Sequence, residues 1–432
     1  MRAGLFLKAV VLLFLLLPLA GCWSRREIDA LAIVGAMGLD DVPGSEDLRL
    51  SVLVVKPREV GGGPTMGGRG GGGGAPTRAP AEIFSATGAD INEAIRRLET
   101  QVPRVLFWGH SRALILGEGF ARRGLNWLDW LSRDREVREN IPLFITSGEA
   151  RRVLELPPEV EVLPGITLIG ILRNKVALRV DLKDVLVMLQ CRGDAPVLPR
   201  IELLDKEEKS GSPGGGGRGG QEAAGSVSGG SGETGPAGIR LNGSGVFKEG
   251  RLAGWMTNDE TLGLMWLRNE VKAGAVTIPC PRHRREQLSF RIRRSRTEIK
   301  PEIKGGKITF QVKIRTEGDL AEETCSEVYD TPRKLAMLEG LFAGEIRGRV
   351  EKALARARQL KVDCFGLGAA LYRVYPKYFL QVAERWDEEF TRAEVKVQVK
   401  VDLRRTGMNV YPIQSQKVLE RSATKKPSSG AR

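Results

Sequence analysis

Histidine and closely spaced cysteines are scarce in this chain of 432 residues. It has two histidines, His110 and His283, and its five cysteines form no Cys-x-x-Cys pair. This disfavours a zinc site or another soft-metal site, because such sites use cysteine and histidine at short spacings. A serine or cysteine nucleophile would have only these two imidazoles as a base, and no Gly-x-Ser-x-Gly motif accompanies His110. We therefore expect no cofactor, no metal and no enzymatic activity; the alternative is an exported hydrolase that uses His110.

Long apolar runs are also missing after the first 20 residues, so no later segment is long enough to cross a bilayer. The chain is basic, with 67 lysines and arginines against 53 aspartates and glutamates and a formal net charge of +14. Nucleic-acid binding is one explanation of such a charge, but the cations are spread along the chain and form no aromatic-laced patch. We expect the basic surface to contact anionic membrane headgroups, and we expect no nucleic-acid partner.

The one long apolar run, residues 9–20, follows Arg2 and Lys8 at the N terminus. It is about a dozen residues long, whereas a membrane-spanning helix needs roughly 20, so it predicts a cleaved signal peptide over residues 1–21. The letters LAGC that end at Cys22 form a lipobox, which predicts that the Cys22 sulfur carries a diacylglycerol anchor. The alternative is an ordinary signal peptide followed by an incidental cysteine.

Four cysteines remain after the anchor: Cys191, Cys280, Cys325 and Cys364. Export would permit disulfides, and Cys280 and Cys325 are placed to flank one predicted sheet. Two separate buried thiols are the alternative, because a free cysteine packs as a small hydrophobic residue.

Length and composition predict several domains, since a domain averages roughly 150 residues. Two glycine-rich segments, residues 61–74 and 206–238, cannot bury enough apolar surface to order themselves and are predicted to be flexible or disordered. The first of them lacks the Gly-Lys-Ser/Thr ending of a phosphate-binding loop. The predicted units are an N-terminal mixed α/β domain at 22–160, a middle α/β domain at 161–280, a C-terminal domain at 281–410 and a basic disordered tail at 411–432.

Strands and helices alternate in the first half of the chain, which favours a mixed α/β fold. Residues 31–39 and 48–54 predict a hairpin, and Asp90 with Glu93 has the form of a capping box that starts a helix ending near Gln101. A second helix is predicted over about 119–133. The prolines in 196–203 predict a strand at a sheet edge.

The last third predicts a β-β-α-β unit in which an antiparallel sheet packs on a long helix. Apolar residues alternate in residues 288–292 and 308–314 and again in 395–403, and a helical apolar stripe follows Pro332 as far as Val362. The predicted fold class of the whole chain is α+β (mixed α/β).

The residues after the lipobox, Trp23-Ser24-Arg25-Arg26-Glu27-Ile28, resemble the start of the Ger(x)C family of spore germination lipoproteins, the C subunits of nutrient germinant receptors. Short matches continue in order along the chain, although Ser24 stands where members often carry an acidic residue. They include Phe107-Trp108-Gly109-His110, Leu163-Pro164-Gly165-Ile166, Glu260-Thr261-Leu262-Gly263, Asp363-Cys364-Phe365-Gly366-Leu367-Gly368 and Arg373-Val374-Tyr375-Pro376.

This resemblance implies a non-enzymatic, lipid-anchored protein on the outer face of the spore inner membrane. It would work with two integral-membrane receptor subunits in nutrient-triggered germination, and no small-molecule site is assigned to it. The alternative is a lipid-anchored solute-binding protein of a transporter, which predicts a ligand cleft between two similar lobes. The predicted partner-contact residues are Trp23, Arg25, Arg26, Glu27, Trp108 and His110, although Trp108 can equally be a core residue.

Overall fold

A computed structural model of the chain describes residues 27–56, 80–157, 161, 163–204, 238–325, 329 and 331–405. The predictions for the signal peptide, Cys22, the glycine-rich segment 61–74, most of segment 206–238 and the tail 411–432 lie outside the described residues. Two sheets organise the described part of the chain.

The larger sheet has nine strands and takes its strands from both sides of residue 161. Its order is β3-β2-β1-β5-β6-β7-β8-β9, and β4 pairs with β1. The strands are parallel from β1 through β5 and β6 to β7 and antiparallel at both ends. Their bounds are β1 Leu31–Asp41, β2 Leu48–Val55, β3 Ala81–Gly88, β4 Val105–Phe107, β5 Leu114–Gly117, β6 Leu143–Thr146, β7 Val197–Leu204, β8 Gly238–Lys248 and β9 Arg251–Met256.

Helices cover both faces of this sheet, because successive side chains of a strand point to opposite faces. Leu114 and Leu116 of β5 belong to one buried cluster and Ile115 to the other. Buried side chains of α1, α2, α3 and α6 belong to the first cluster, and those of α4 and α5 belong to the second. The bounds are α1 Ile91–Glu99, α2 Glu118–Arg123, α3 Leu128–Arg133, α4 Ala150–Leu154, α5 Pro164–Arg173, α6 Leu182–Gln190 and α7 Asn258–Leu267.

Two local predictions in this half are wrong. The helix expected over about 119–133 is broken into α2 and α3 at Gly124, whose φ of +124° lies outside the helical range. The strand with prolines, β7, is not at an edge but lies between β6 and β8. It tolerates Pro199 there because β6 pairs only with Arg200 and Ile201.

The smaller sheet has four strands in the order β10-β11-β12-β13 and packs on the long helix α8. The apolar stripe of α8, with Leu338, Phe342, Ile346 and Val350 fully buried, faces this sheet, so the predicted α+β class is confirmed. The bounds are β10 Ala275–Pro279, β11 Gln287–Lys304, β12 Lys307–Glu323, α8 Pro332–Leu360, α9 Leu367–Val374, α10 Pro376–Val382, α11 Trp386–Arg392 and β13 Glu394–Arg405.

The predicted antiparallel sheet is wrong in one pair of strands, because β13 runs parallel to β12. The connection between them passes through α8, three shorter α-helices and a 3-10 turn, and it carries the chain back to the end of the sheet where β12 begins. The predicted boundary between residues 160 and 161 stays a prediction, although strands from both sides of it share one sheet. Within the described ranges, no helix is long and apolar enough to cross a membrane.

The two sheets are joined through α7 and α8, which pack with their backbones close together. A Cβ on Gly263 of α7 would lie 2.1 Å from the Arg349 carbonyl oxygen of α8, so only glycine permits this approach. Arg356 of α8 donates to the Trp255 carbonyl oxygen at 2.9 Å, and Lys352 lies 3.1 Å from Asp259. This junction places the end of α8 against β9 of the larger sheet and the start of α9 against the loop between α6 and β7.

Candidate functional site

The predicted contact segment around Trp108 presents one of its two candidate residues to solvent. Trp108 is 6% exposed, and its ring meets the Trp130 ring edge-on with centroids 5.9 Å apart. Trp130 is fixed in turn by a 3.0 Å hydrogen bond from its Nε1 to Asn92. His110 is exposed and its ring lies edge-on to Phe107 at 5.5 Å. The structure therefore places Trp108 in the core and His110 on the surface.

Of the predicted contact residues beside the membrane, the structure describes Glu27 alone. Glu27 is exposed and precedes a short 3-10 turn over Ile28–Ala30 that leads into β1. Trp23, Arg25 and Arg26 lie outside the described residues. The role of Trp23, Arg25, Arg26 and Glu27 as partner contacts stays a prediction.

A cleft of about 710 Å³ opens where the two sheets meet. One wall is the loop between α6 and β7 and the turn between β8 and β9, and the other is formed by residues 362–363 and 383–387. Its lining includes Cys191, Arg192, Lys248, Glu249, Glu384 and Asp387. These charges are of both signs and no histidine lines the described walls, so the cleft lacks an imidazole base.

Asp363 lies at the inner wall of the cleft, in the turn between α8 and α9. Its two carboxylate oxygens accept hydrogen bonds from the backbone N–H groups of Phe365, Leu367 and Gly368, and from Trp386 Nε1 at 3.0 Å. The carboxylate thus satisfies the free N–H groups at the start of α9 and holds the indole of α11 beside it. Burial raises the pKa of Asp363 to about 6, against the opposing effect of its hydrogen-bond donors.

A buried ion network stands beside Asp363. Arg268, at the end of α7, lies 3.7 Å from an Asp194 oxygen and 3.2 Å from a Glu270 oxygen, and it donates to the Cys364 carbonyl oxygen. Burial raises the pKa of both Asp194 and Glu270, although the Arg268 charge opposes it. Arg268 therefore ties together the α6–β7 loop, α7 and the α8–α9 turn.

The buried cysteine at this site is unsuited to nucleophilic chemistry. Burial, the largest cause, raises the pKa of the Cys364 thiol well above its usual range, so this thiol stays protonated. Cys191 is an exposed free thiol at the cleft rim. Lys248 joins the two walls through a 2.8 Å contact with Asp387 and a hydrogen bond to the Lys361 carbonyl oxygen. The arrangement is a charged junction that holds two structural units together.

Cys280 and Cys325 form a disulfide, which confirms the first of the two alternatives. Their Cα atoms are 6.0 Å apart, and the bond ties the chain just after β10 to the chain just after β12. Glu286 has a carboxylate oxygen within 4.8 Å of both sulfurs. Because the sulfurs are bonded to each other, they offer no thiolates to a metal ion there.

The sequence does not predict this junction as a site. Asp363 and Cys364 lie in the stretch through Gly368 that carries the family resemblance, but the resemblance assigns them no chemical role. The sequence does not indicate that Asp194 and Arg268 form an ion pair, because a charged residue in a loop or at a helix end is ordinarily solvated. Only the tertiary contacts show that these charges are buried together.

Comparisons with known proteins cover most of the chain. Residues 24–203 match the family described as "Spore germination protein N-terminal domain", and residues 242–407 match "Spore germination B3/ GerAC like, C-terminal". "Spore germination protein KC" of Bacillus subtilis (strain 168) is 27% identical over 421 residues, which cover 95% of this chain and 98% of the relative. "Spore germination protein B3" of the same organism is 24% identical over 408 residues, 91% of this chain and 96% of the relative.

The fold is similar to a solved structure described as "Crystal Structure of the GerBC protein". The TM-score is 0.51 at 18% sequence identity, and the match covers 85% of this chain and 97% of that one. The first sequence match spans β1 to β7 of the larger sheet, and the second spans most of β8, all of β9 and the smaller sheet. Together they show that the chain belongs to the Ger(x)C family of spore germination proteins.

Proposed function

We propose that this protein is a non-enzymatic, lipid-anchored subunit of a spore germinant receptor complex. It is held on the outer face of the spore inner membrane by a diacylglycerol on Cys22, and it supports nutrient-triggered germination through contacts with two integral-membrane subunits. Its similarity to spore germination proteins over both halves of the chain carries the proposal.

The lipid anchor is supported by the lipobox and by the short distance from it to the fold. Only residues 23–26 separate Cys22 from the first described residue, Glu27, and β1 begins four residues later. Four extended residues span at most about 14 Å, so an anchored Cys22 would hold the folded chain at the headgroup layer. The short linker therefore favours a subunit that works at the membrane surface.

The non-enzymatic role is supported by the chemistry of the junction. Asp194, Glu270 and Asp363 bond Arg268 or the backbone, and the buried Cys364 thiol stays protonated. The solute-binding alternative expects two similar lobes, whereas the described residues form a nine-stranded and a four-stranded sheet of different topology. A subunit that acts through its surfaces fits these features best.

The test replaces Cys22 with alanine in the full chain and measures membrane retention together with nutrient-triggered germination. We expect loss of the protein from the spore membrane fraction and a germination defect with the nutrients that this receptor serves. The exposed thiol variant Cys191→Ala is the matched control and is expected to behave as wild type. Normal retention and normal germination of Cys22→Ala would contradict the anchor.

The receptor assignment has its own test in mild detergent. Wild-type protein purified from spore membranes is expected to bring two integral-membrane subunits with it. Recovery of the anchored protein without them would contradict the assembly role.

A further inference from the structure

The corner between α9 and α10 carries an unusual group of exposed apolar side chains. Exposure reaches 47% at Tyr372, 54% at Val374, 37% at Tyr375 and 63% at Leu380. The whole run 372–377 is exposed, so the turn between α9 and α10 lies at the protein surface. Leaving this much apolar surface in water opposes folding, since burial of such side chains is favourable. We call residues 372–380 the 372–380 corner.

Cations stand among these apolar residues and no anion does. Arg373 and Lys377 are both exposed, and the sequence from residue 364 to residue 383 contains no aspartate or glutamate. Tyrosine and valine thus alternate with arginine and lysine over a few residues. Tyrosine combines an apolar ring with a polar hydroxyl and is enriched at the boundary between lipid headgroups and acyl chains, where basic side chains also meet anionic headgroups.

The corner is held rigidly from below. Phe379 is buried between Tyr372 and Trp386, with ring centroids 5.7 and 5.3 Å away. Tyr378 donates a hydrogen bond of 3.2 Å to the Gly306 carbonyl oxygen in the turn between β11 and β12. The exposed side chains are therefore presented by a fixed scaffold, and little further ordering is needed when a partner covers them.

We propose that the 372–380 corner inserts into the headgroup layer of an anionic bilayer and gives the protein a second membrane contact. A surface that binds another protein ordinarily has an apolar centre surrounded by a polar rim. Here cations and apolar groups alternate along an exposed turn, as in segments that lie at a membrane interface. The inference rests on the proposed function, because a single lipid chain holds a protein weakly and a second contact makes anchoring durable.

The test measures vesicle binding by the mature chain, residues 22–432, with Cys22→Ser, so that neither the apolar signal peptide nor a lipid is present in any sample. We expect sedimentation with vesicles of phosphatidylglycerol and phosphatidylcholine, weaker binding to phosphatidylcholine alone, and further weakening by salt. The variants Val374→Ser/Leu380→Ser and Arg373→Glu/Lys377→Glu are each expected to lower the partition coefficient by about tenfold or more. The matched control Arg173→Glu/Val176→Ser changes another exposed cation and an apolar side chain of 45% exposure, and should bind as the parent does.

Thermal unfolding of each variant checks that the fold is intact. Absence of binding by the parent, or equal binding by the corner variants and the control, would overturn the proposal. Corner variants that bind vesicles normally but lose the integral-membrane subunits on purification would identify the corner as a protein contact and also overturn it. Because Cys22 is absent from every vesicle sample, none of these results bears on the anchor, which the spore experiment with Cys22→Ala tests separately.

Discussion

Gly193 and Gly368 touch backbone to backbone where the α6–β7 loop meets α9. A Cβ on Gly368 would lie 2.5 Å from Gly193 Cα and 2.8 Å from the Trp386 ring, and a Cβ on Gly193 would lie 2.6 Å from Gly368 Cα. Gly193 also adopts a φ of +83°, and its carbonyl oxygen accepts a hydrogen bond from Ala369 N–H. The two units of the chain therefore meet at a point where neither residue can carry a side chain.

The first prediction is that Gly368→Ala destabilises this junction. The new methyl group must push against the Gly193 backbone and the indole that donates to Asp363, so we expect unfolding to become easier by about 1–3 kcal/mol. Urea unfolding followed by tryptophan fluorescence measures the change. Gly170→Ala in α5 is the matched control, since nothing lies within 4 Å of its Cβ position, and it should gain roughly 0.5–1 kcal/mol. Equal stability of Gly368→Ala and wild type would contradict the prediction, because it would show that the neighbouring residues move aside at no cost in free energy.

The second prediction concerns the pH dependence that Asp363 contributes. Its pKa is 3.8 in the unfolded reference and about 6 when folded, so between these values the folded state keeps a proton that the unfolded state has lost. Stability from this group is therefore present below pH 3.8 and declines as the pH rises through 6. We expect the unfolding free energy of wild type, relative to Asp363→Asn, to fall by about 2 kcal/mol from pH 4 to pH 7.

Urea unfolding at a series of pH values checks this difference. Glu99→Gln, which changes an exposed carboxyl in α1, is measured in the same way as the control. A rise in the relative stability of wild type with pH would mean that the four hydrogen-bond donors outweigh burial at Asp363.

The elements that follow from local pattern are predicted well. The capping box at Asp90 is present in modified form, because Asp90 accepts from Glu93 N–H while Glu93 reaches back to Ala89 N–H, and α1 begins at Ile91 as expected. The hairpin of β1 and β2 is also confirmed. These features depend on residues within a few positions of one another, so sequence periodicity and capping rules suffice.

Features that depend on contacts between distant segments are not predicted. Local pattern gives no direction for β13, because its alternation is the same in a parallel and an antiparallel pair. β7 can lie inside the sheet because β6 pairs with it only at Arg200 and Ile201, and the sequence of β7 does not show this. The pairing of Arg268 with Asp194 joins a helix end to a distant loop, and neither residue differs in sequence from an ordinary surface charge.

The third prediction is that the Cys280–Cys325 disulfide stabilises the C-terminal unit. It closes a loop with a sequence separation of 45 residues, so its loss should cost roughly 2–4 kcal/mol of unfolding free energy. Urea unfolding of wild type with and without reductant should show this loss, whereas Cys280→Ser/Cys325→Ser should already be destabilised and insensitive to reductant. Cys191→Ser, which changes an exposed free thiol, controls for the loss of a cysteine and should leave stability unchanged. A double variant as stable as oxidised wild type would contradict the prediction.

The fourth prediction separates the effects of Trp108 and His110, both of which the sequence predicts to be partner contacts. Trp108→Ala removes a buried ring that packs on Trp130, and should lower the unfolding free energy by about 3–5 kcal/mol. His110→Ala changes an exposed side chain and should alter stability by less than about 0.5 kcal/mol. Any effect of His110→Ala on assembly therefore reports a contact and not a folding defect.

Assembly is measured by recovery of the integral-membrane subunits with each variant in mild detergent. If His110 contacts a partner, His110→Ala lowers that recovery while the amount of folded protein stays constant. His283→Ala changes the other exposed histidine and should keep full recovery. Of the two predicted contact residues in this segment, Trp108 is buried and His110 is exposed. Full recovery with His110→Ala would therefore show that the predicted contact at this segment is wrong.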